Sequence, residues 1–353
     1  MLRFHLPLVQ VILALLRESV LSFHNGLWVS PSLPLFHPLR GLHFHRMTIQ
    51  FEENESDDRL RLLWDQEPFA EARKLIDAYI QENISETSEY SFLTKLSERD
   101  IRLVSSSIFH EPTYKEAKKR SFAIVISYRG SDFCGWQRQT ESNIPSVQET
   151  LELSLERFQK HRVDVRVCGR TDAGVHALGQ VCRFRTDLNI SSDFLHQHIN
   201  NSPSSMSLRC IHVSGVSSKF HPGFSATSRT YAYLIDPMYV THDEVETLNG
   251  MLEELQNKTL NYFGFSYGKV KTQSTECTIS FARALYMNNG ALCIVLVGNR
   301  FLRRMVRILV ATALRSVFNG EKSLLPRILT LDRKVSSRAA PADGLLFVCA
   351  NFN

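Results

Sequence analysis

Ten apolar residues, at positions 301, 302, 305, 306, 309, 310, 313, 314, 317 and 318, recur with a period near 3.6. No other stretch of the chain is so restrictive. A stripe of this length reads as one side of a helix and needs an apolar surface to cover it. Arg300, Arg303, Arg304 and Arg307 fall together on the opposite side, because steps of three and four share a helix face. Gly320 stands where a C-terminal cap is expected. No Asp or Glu lies between 300 and 320, so pairing along the helix does not account for the arginines. This favours anion contact over a solvated face.

The chain has 353 residues, 43% of them hydrophobic, enough for a sizeable core and about two domains. That excludes a disordered or collagen-like protein. Seven cysteines without a CxxC pair support neither a disulfide framework nor a zinc site, and they suit a reducing compartment. No run of 18 apolar residues is present, so no membrane span is expected. Charge is distributed unevenly. Residues 1–46 carry a net +3, residues 47–112 a net −8 and residues 113–353 a net +10. A basic body behind an acidic segment suggests a polyanionic partner.

Residues 1–46 are acid-poor and hydroxyl-containing, and read as a transit peptide or disordered extension. They point to a chloroplast or mitochondrion, with nucleus or cytoplasm as alternatives, and Met47 is an alternative start. Residues 47–117 read as an acidic, largely helical accessory segment, in which Leu60, Leu63, Trp64, Leu75, Ile76 and Tyr79 recur near helical spacing. The body then divides into halves, 118–225 and 226–353. In the first, strand-favouring residues run from Ser121 to Tyr128. Ser146 and Glu149 form a capping box ahead of a helix ending near Lys160, and strands follow at 163–167 and 180–184. The second half has strands from Thr230, at 278–287, at 291–297 and at 345–350, with a helix over 241–255. The expected fold is α+β: two similar split α/β sandwich halves sharing a mostly antiparallel sheet, with an active-site cleft between them.

The densest group of unusual residues is Cys168-Gly169-Arg170-Thr171-Asp172-Ala173-Gly174-Val175-His176-Ala177. Glycines at both ends can hold a loop open and present a carboxylate. The same residues also suit a tight turn in which Asp172 caps its own backbone and Arg170 pairs with it. His176 reads as a hydrogen-bonded structural residue rather than an acid or base. A second loop, 129–139, holds Trp136 and Gln137 between arginines. Trp136 could stack on a base or plug the edge of the core. The pair His196 and His198 lacks a suitably spaced carboxylate, so no metal site is expected.

These blocks resemble the TruA-type tRNA pseudouridine synthases. The loop from Gly169 to Ala177 followed by Gln180-Val181 is similar to the family signature. Tyr128-x-Gly130 with Gly135-Trp136-Gln137, Val147-Gln148, Phe224-Ser225-Ala226 with Arg229-Thr230-Tyr231-x-Tyr233, Phe301-Leu302-x-x-Met305-Val306-Arg307, and Ala340-Pro341-Ala342-x-Gly344-Leu345 complete the order. The chain departs from the family at Arg303-Arg304, where an aromatic-His pair is common, at Ala311, and at His221-Pro222-Gly223, where one expected Arg is missing.

The resemblance implies an isomerase that converts uridine to pseudouridine in RNA, with the tRNA anticodon arm as the expected target. Another structured RNA, or a catalytically silent RNA-binding protein on the same scaffold, are the alternatives. It implies Asp172 as nucleophile and Arg307 as the cation that orients it. Tyr231 would stack on the extruded uracil, and Arg170 would fill the gap left by the flipped nucleotide or hold its phosphate. Leu345 would pack against the base, and Trp136, Gln137, Arg303 and Arg304 would contact RNA. No cofactor and no membrane partner are implied, and a homodimer is left open.

Overall fold

The computed structural model describes residues 120–159, 161–202, 207–235, 240–269, 274–286 and 292–352. The expected leader 1–46 and acidic segment 47–117 lie outside them. Nine strands form one sheet among the described residues. They are β1 (Arg120–Tyr128), β2 (Arg166–Val167), β3 (His176–Thr186), β4 (Leu208–Val216), β5 (Ala226–Ile235), β6 (Lys258–Asn261), β7 (Glu276–Tyr286), β8 (Leu292–Gly298) and β9 (Leu345–Phe352). The helices are α1 (Val147–Gln159), α2 (Ser192–Asn200), α3 (Pro222–Ser225), α4 (His242–Glu253), α5 (Met305–Phe318) and α6 (Leu325–Leu329).

The strand order β4-β1-β3-β9-β5-β8-β7-β6, with β2 paired beside β3, contains the expected duplication. In each half the first strand lies between the last strand and a middle one: β4-β1-β3, then β9-β5-β8. A helix follows the first strand of each half (α1, α4), and another precedes its last strand (α2, α5). Every pairing of the named strands within a half is antiparallel. The halves join through β3 and β9, which run parallel and pair only His176 with Leu346 and Ala177 with Phe347. Parallel neighbours begin at the same sheet edge. The loops ahead of β3 and β9 therefore emerge side by side, and the junction that joins the halves also gathers the loops.

Two apolar clusters fill the halves. One contains Ile124, Leu151, Leu155 and Phe184 and the other Leu248, Leu296, Leu309 and Leu314, and both extend to the strands at the junction. Burying several such side chains, each contributing about 1.5–3 kcal/mol, gives each half its own hydrophobic basis. Ser146 Oγ accepts from Glu149 N at 3.1 Å at the start of α1, while the Glu149 carboxylate turns to Arg138 at 3.3 Å. The full reciprocal box forms instead at α4, between Thr241 and Glu244.

The stripe at 301–318 forms a helix, but its first four residues lie outside it. Arg304 has φ +60°, and Met305 N donates to the Leu302 carbonyl in a turn ahead of α5. The reason is tertiary: the Arg303 carbonyl accepts from Tyr267 N at 3.0 Å, which turns the chain before the helix can begin. Arg303 and Arg304 therefore share no helix face with Arg307. Nor is α5 two-sided, because Ile308, Ala311, Thr312 and Ser316 are buried as well as most of the stripe. The strand expected at 163–167 shortens to Arg166–Val167. Helix α2 and strands β4 and β6 carry no counterpart in the sequence reading.

Candidate active site

The loop before β3 is held at both ends. Cys168 N donates to the Val181 carbonyl at 2.8 Å, and Gln180 Nε2 donates to the Gly169 carbonyl at 2.8 Å. Between them Val175 N donates to the Asp172 carbonyl at 3.2 Å, closing a β-turn with Gly174 at its third position and φ +82°. The turn uses the backbone of Asp172, which leaves its side chain free. Arg170 is exposed and has no ion-pair partner among the described residues. Of the two forms open in the sequence, the structure has the presented carboxylate.

The 129–137 loop forms the bed of this turn. A Cβ on Gly130 would stand 2.1 Å from the Val175 carbonyl oxygen, so only glycine admits the two loops at this spacing. Trp136 N donates to the Thr171 carbonyl at 3.1 Å, and the Tyr128 hydroxyl lies 2.8 Å from Thr171 Oγ1. The Trp136 side chain is 1% exposed, tilted against Tyr128 at 6.4 Å between ring centroids. It is the core plug, and its expected role in stacking on RNA is corrected: apolar burial gains more for this ring than exposure on the loop would. Gln137 is exposed, and its Nε2 donates to Gln148 Oε1 at 3.1 Å.

Buried His176 closes the floor. Its Nδ1 accepts from Gly130 N at 3.2 Å, and burial pulls its pKa down to about 4. A neutral imidazole that joins two loops fits the structural reading of the sequence.

Asp172 faces the start of α5. Arg307 Nη1 donates to Asp172 Oδ2 at 2.9 Å, with side-chain exposures of 12% and 24%. Arg307 Nε donates to the Ala340 carbonyl at 2.6 Å, and Ala340 N donates back to the Arg307 carbonyl. The fork thus ties α5 to the loop before β9 and to the loop before β3 together. Arg304 Nε stands 3.7 Å from the same carboxylate oxygen, and its guanidinium lies over the Tyr267 ring at 3.8 Å. Arg303 lies 5.2 Å from that ring. Tyr267 was not singled out in the sequence, and no motif marks it. Two arginines converging on an exposed aromatic become visible only in three dimensions.

Tyr231 lies at the middle of β5. The β5–β9 register shifts between Thr230 and Tyr231: Val348 is the extra residue on β9, and Tyr231 pairs with Phe347 in its place. Its ring meets Phe301 and Phe347 edge-on, at 5.1 and 5.2 Å. Its hydroxyl lies near Gly169, where a Cβ would come within 3.7 Å. Burial pushes the Tyr231 phenol well above its ordinary pKa, so it stays protonated at neutral pH. Leu345 opens β9, buried, with its backbone N donating to the Ala342 carbonyl. All seven cysteines are free. No helix among the described residues is long and apolar enough to cross a membrane.

Sheet and junction together are those of an α+β protein built to present one carboxylate beside one guanidinium. The model of a family described as tRNA pseudouridine synthase matches residues 124–217. The tRNA pseudouridine synthase A of Tolumonas auensis is 34% identical over 241 residues, covering 64% of this chain and 90% of that protein. That of Ehrlichia ruminantium is 32% identical over 248 residues, covering 66% and 99%. That of Francisella philomiragia is 29% identical over 245 residues, covering 65% and 93%. The chain belongs to the tRNA pseudouridine synthase family, a family of isomerases.

Proposed function

We propose that this chain converts uridine to pseudouridine in tRNA, in the anticodon arm, with Asp172 as the nucleophile. The observation that carries the reading is the 2.9 Å pair of Arg307 Nη1 and Asp172 Oδ2 where β3 and β9 meet. A carboxylate can attack and later leave, which isomerisation requires. Attack falls on C1′ of the ribose or C6 of the base. By either route an oxygen–carbon bond forms and the N1–C1′ bond breaks. The uracil turns, C5 bonds to C1′, the carboxylate departs, the C5 proton goes to solvent and N1 takes up a proton from solvent. No atom is gained or lost overall.

Both arginines address Oδ2, which leaves Oδ1 as the attacking oxygen. Tyr231 offers its ring to the extruded uracil. As a phenol it receives the C5 proton only by handing on its own. Leu345 packs against the base, exposed Arg170 fills the place of the flipped nucleotide, and Arg303, Arg304 and Gln137 contact the backbone around it.

The test uses the full chain and tRNA tritiated at uracil C5. Tritium release that vanishes in Asp172→Ala, with RNA affinity held within a few-fold, supports the reading. Release that survives in Asp172→Ala removes the nucleophile assignment. No release from any tRNA despite tight binding moves the target to another RNA.

A further inference from the structure

Beyond the junction, a cationic and aromatic face lies where β2, β3 and α3 meet. The register sets Arg166 directly opposite Arg183. Arg185 is two residues further along β3 and leaves on the same side. Like charges directly opposite each other on a sheet are destabilising, so the fold gains nothing from this arrangement. The acid beside them is Asp164, 2.6 Å from Arg166 and itself 62% exposed. Arg183 and Arg185 have no ion-pair partner among the described residues. Each instead donates to the segment leading into α3: Arg183 Nη1 to the Phe220 carbonyl at 2.6 Å, and Arg185 Nη2 to the Ser218 carbonyl. The guanidiniums are thereby held in place while Arg185 stays exposed. They also crowd one another: after burial, Arg185 and Arg166 are the next causes lowering the Arg183 pKa.

Beside them, Phe224 on α3 is 88% exposed, more than any other large apolar side chain described. Its ring lies 4.4 Å from that of His221. An apolar partner is a poor match for an exposed aromatic that stands next to this arginine patch. A chain alternating flat bases with phosphates matches both parts. The face is also continuous with the Asp172 loop. A Cβ on Gly223 would stand 3.5 Å from the Cys168 carbonyl. Arg229 bridges the Gly223 carbonyl to that of Asn299, ahead of α5.

We propose that Arg166, Arg183, Arg185 and Phe224 form a second RNA contact, gripping the phosphates and stacking one unpaired base of the strand that flanks the target uridine. This rests on the reading of the substrate as RNA.

The experiment measures the affinity of the full chain for unmodified tRNA by fluorescence anisotropy across 50–300 mM KCl, with tritium release in parallel. Replacing Arg166, Arg183 and Arg185 together by Gln should flatten the slope of log affinity against log salt by about two, from three phosphates at roughly 0.7 each. Phe224→Ala should leave the slope and raise Kd roughly fivefold to a hundredfold, the range for a lost base stack. In both variants kcat/KM should fall with affinity. If the triple variant melts early, Phe224→Ala at its exposed position carries the test alone. Wild-type-like Kd and slope in variants of an enzyme that isomerises tRNA overturn the second contact only. A wild-type chain that neither binds nor isomerises RNA overturns it together with the proposed function. A variant that loses self-association while its RNA affinity is unchanged assigns the face to a second copy, and also overturns it.

Discussion

Truncating Arg307 tests the site most directly, because its side chain makes two bonds with different consequences. Nη1 meets Asp172 Oδ2 at 2.9 Å, and Nε meets the Ala340 carbonyl at 2.6 Å. A hydrogen bond to a charged group contributes about 1.5–3 kcal/mol, and leaving a buried acceptor unpaired costs about 1–3 kcal/mol. Asp172 is 24% exposed, so water replaces part of the first loss. Ala340 is fully buried, so the second is less forgiving. The remaining cation, Arg304, stands 3.7 Å away and is 32% exposed, a geometry worth at most about 1 kcal/mol. Arg307→Ala should therefore lower kcat/KM for tritium release about 30- to 150-fold, equivalent to about 2–3 kcal/mol of lost orientation. It should also lower Tm by several degrees, at roughly 2–4 °C per kcal/mol. Arg307→Lys keeps the charge but has one nitrogen for two acceptors, so its activity should fall between the two. Arg304→Ala should cost no more than about fivefold. A folded Arg307→Ala enzyme that keeps kcat/KM within threefold would refute the orienting role. A larger loss in Arg304→Ala than in Arg307→Ala would refute the ranking by distance.

Two further predictions concern the frame that holds the carboxylate. Burial lowers the His176 pKa to about 4 from an ordinary 6.5, so the unfolded chain takes up this proton before the folded one does. Stability should then fall as pH drops from 6.5 towards 4, by about 3 kcal/mol in all. Urea melts at pH 7 and pH 5 should show a little over half of that difference and should lose much of it in His176→Gln; parallel pH curves for the two proteins would sink the assignment. Gly130→Ala places a Cβ 2.1 Å from the Val175 carbonyl oxygen, an overpacking expected to cost about 3 kcal/mol or more and to abolish tritium release. Gly250→Ala, inside α4 with nothing within 4 Å, should instead stabilise by about 0.5–1 kcal/mol, and equal melting temperatures for the two variants would contradict the geometry.

What the sequence disclosed depended on how locally each feature is encoded. Strand β1 is legible because residues 121–128 favour a strand throughout, and α1 because Ser146 caps a helix whose Val147, Leu151 and Leu155 share a side. Strand β4 escaped because a register shift against β1 at Val125 and Ile126 leaves Ile211 without a partner and breaks the alternation, with Ile211 and His212 both half-buried. Composition cannot separate a Trp that stacks from one that plugs, since both sit in a loop beside glycines. The 1% exposure of Trp136 is a property of Tyr128 and the strands beneath it.

The chain's own order of residues settled the two-halved architecture, the loop bearing Asp172 and the helix bearing Arg307, because hydrophobic period, caps and glycines act within a few residues of themselves. Tertiary structure alone decided that these two side chains, 135 residues apart, meet at 2.9 Å. The parallel join of β3 and β9 brings their loops to one edge, the extra residue Val348 on β9 sets Tyr231 opposite Phe347, and the contact of Arg303 with Tyr267 delays the helix. Each is a pairing between distant segments, and its free energy exists only once both are folded and in register.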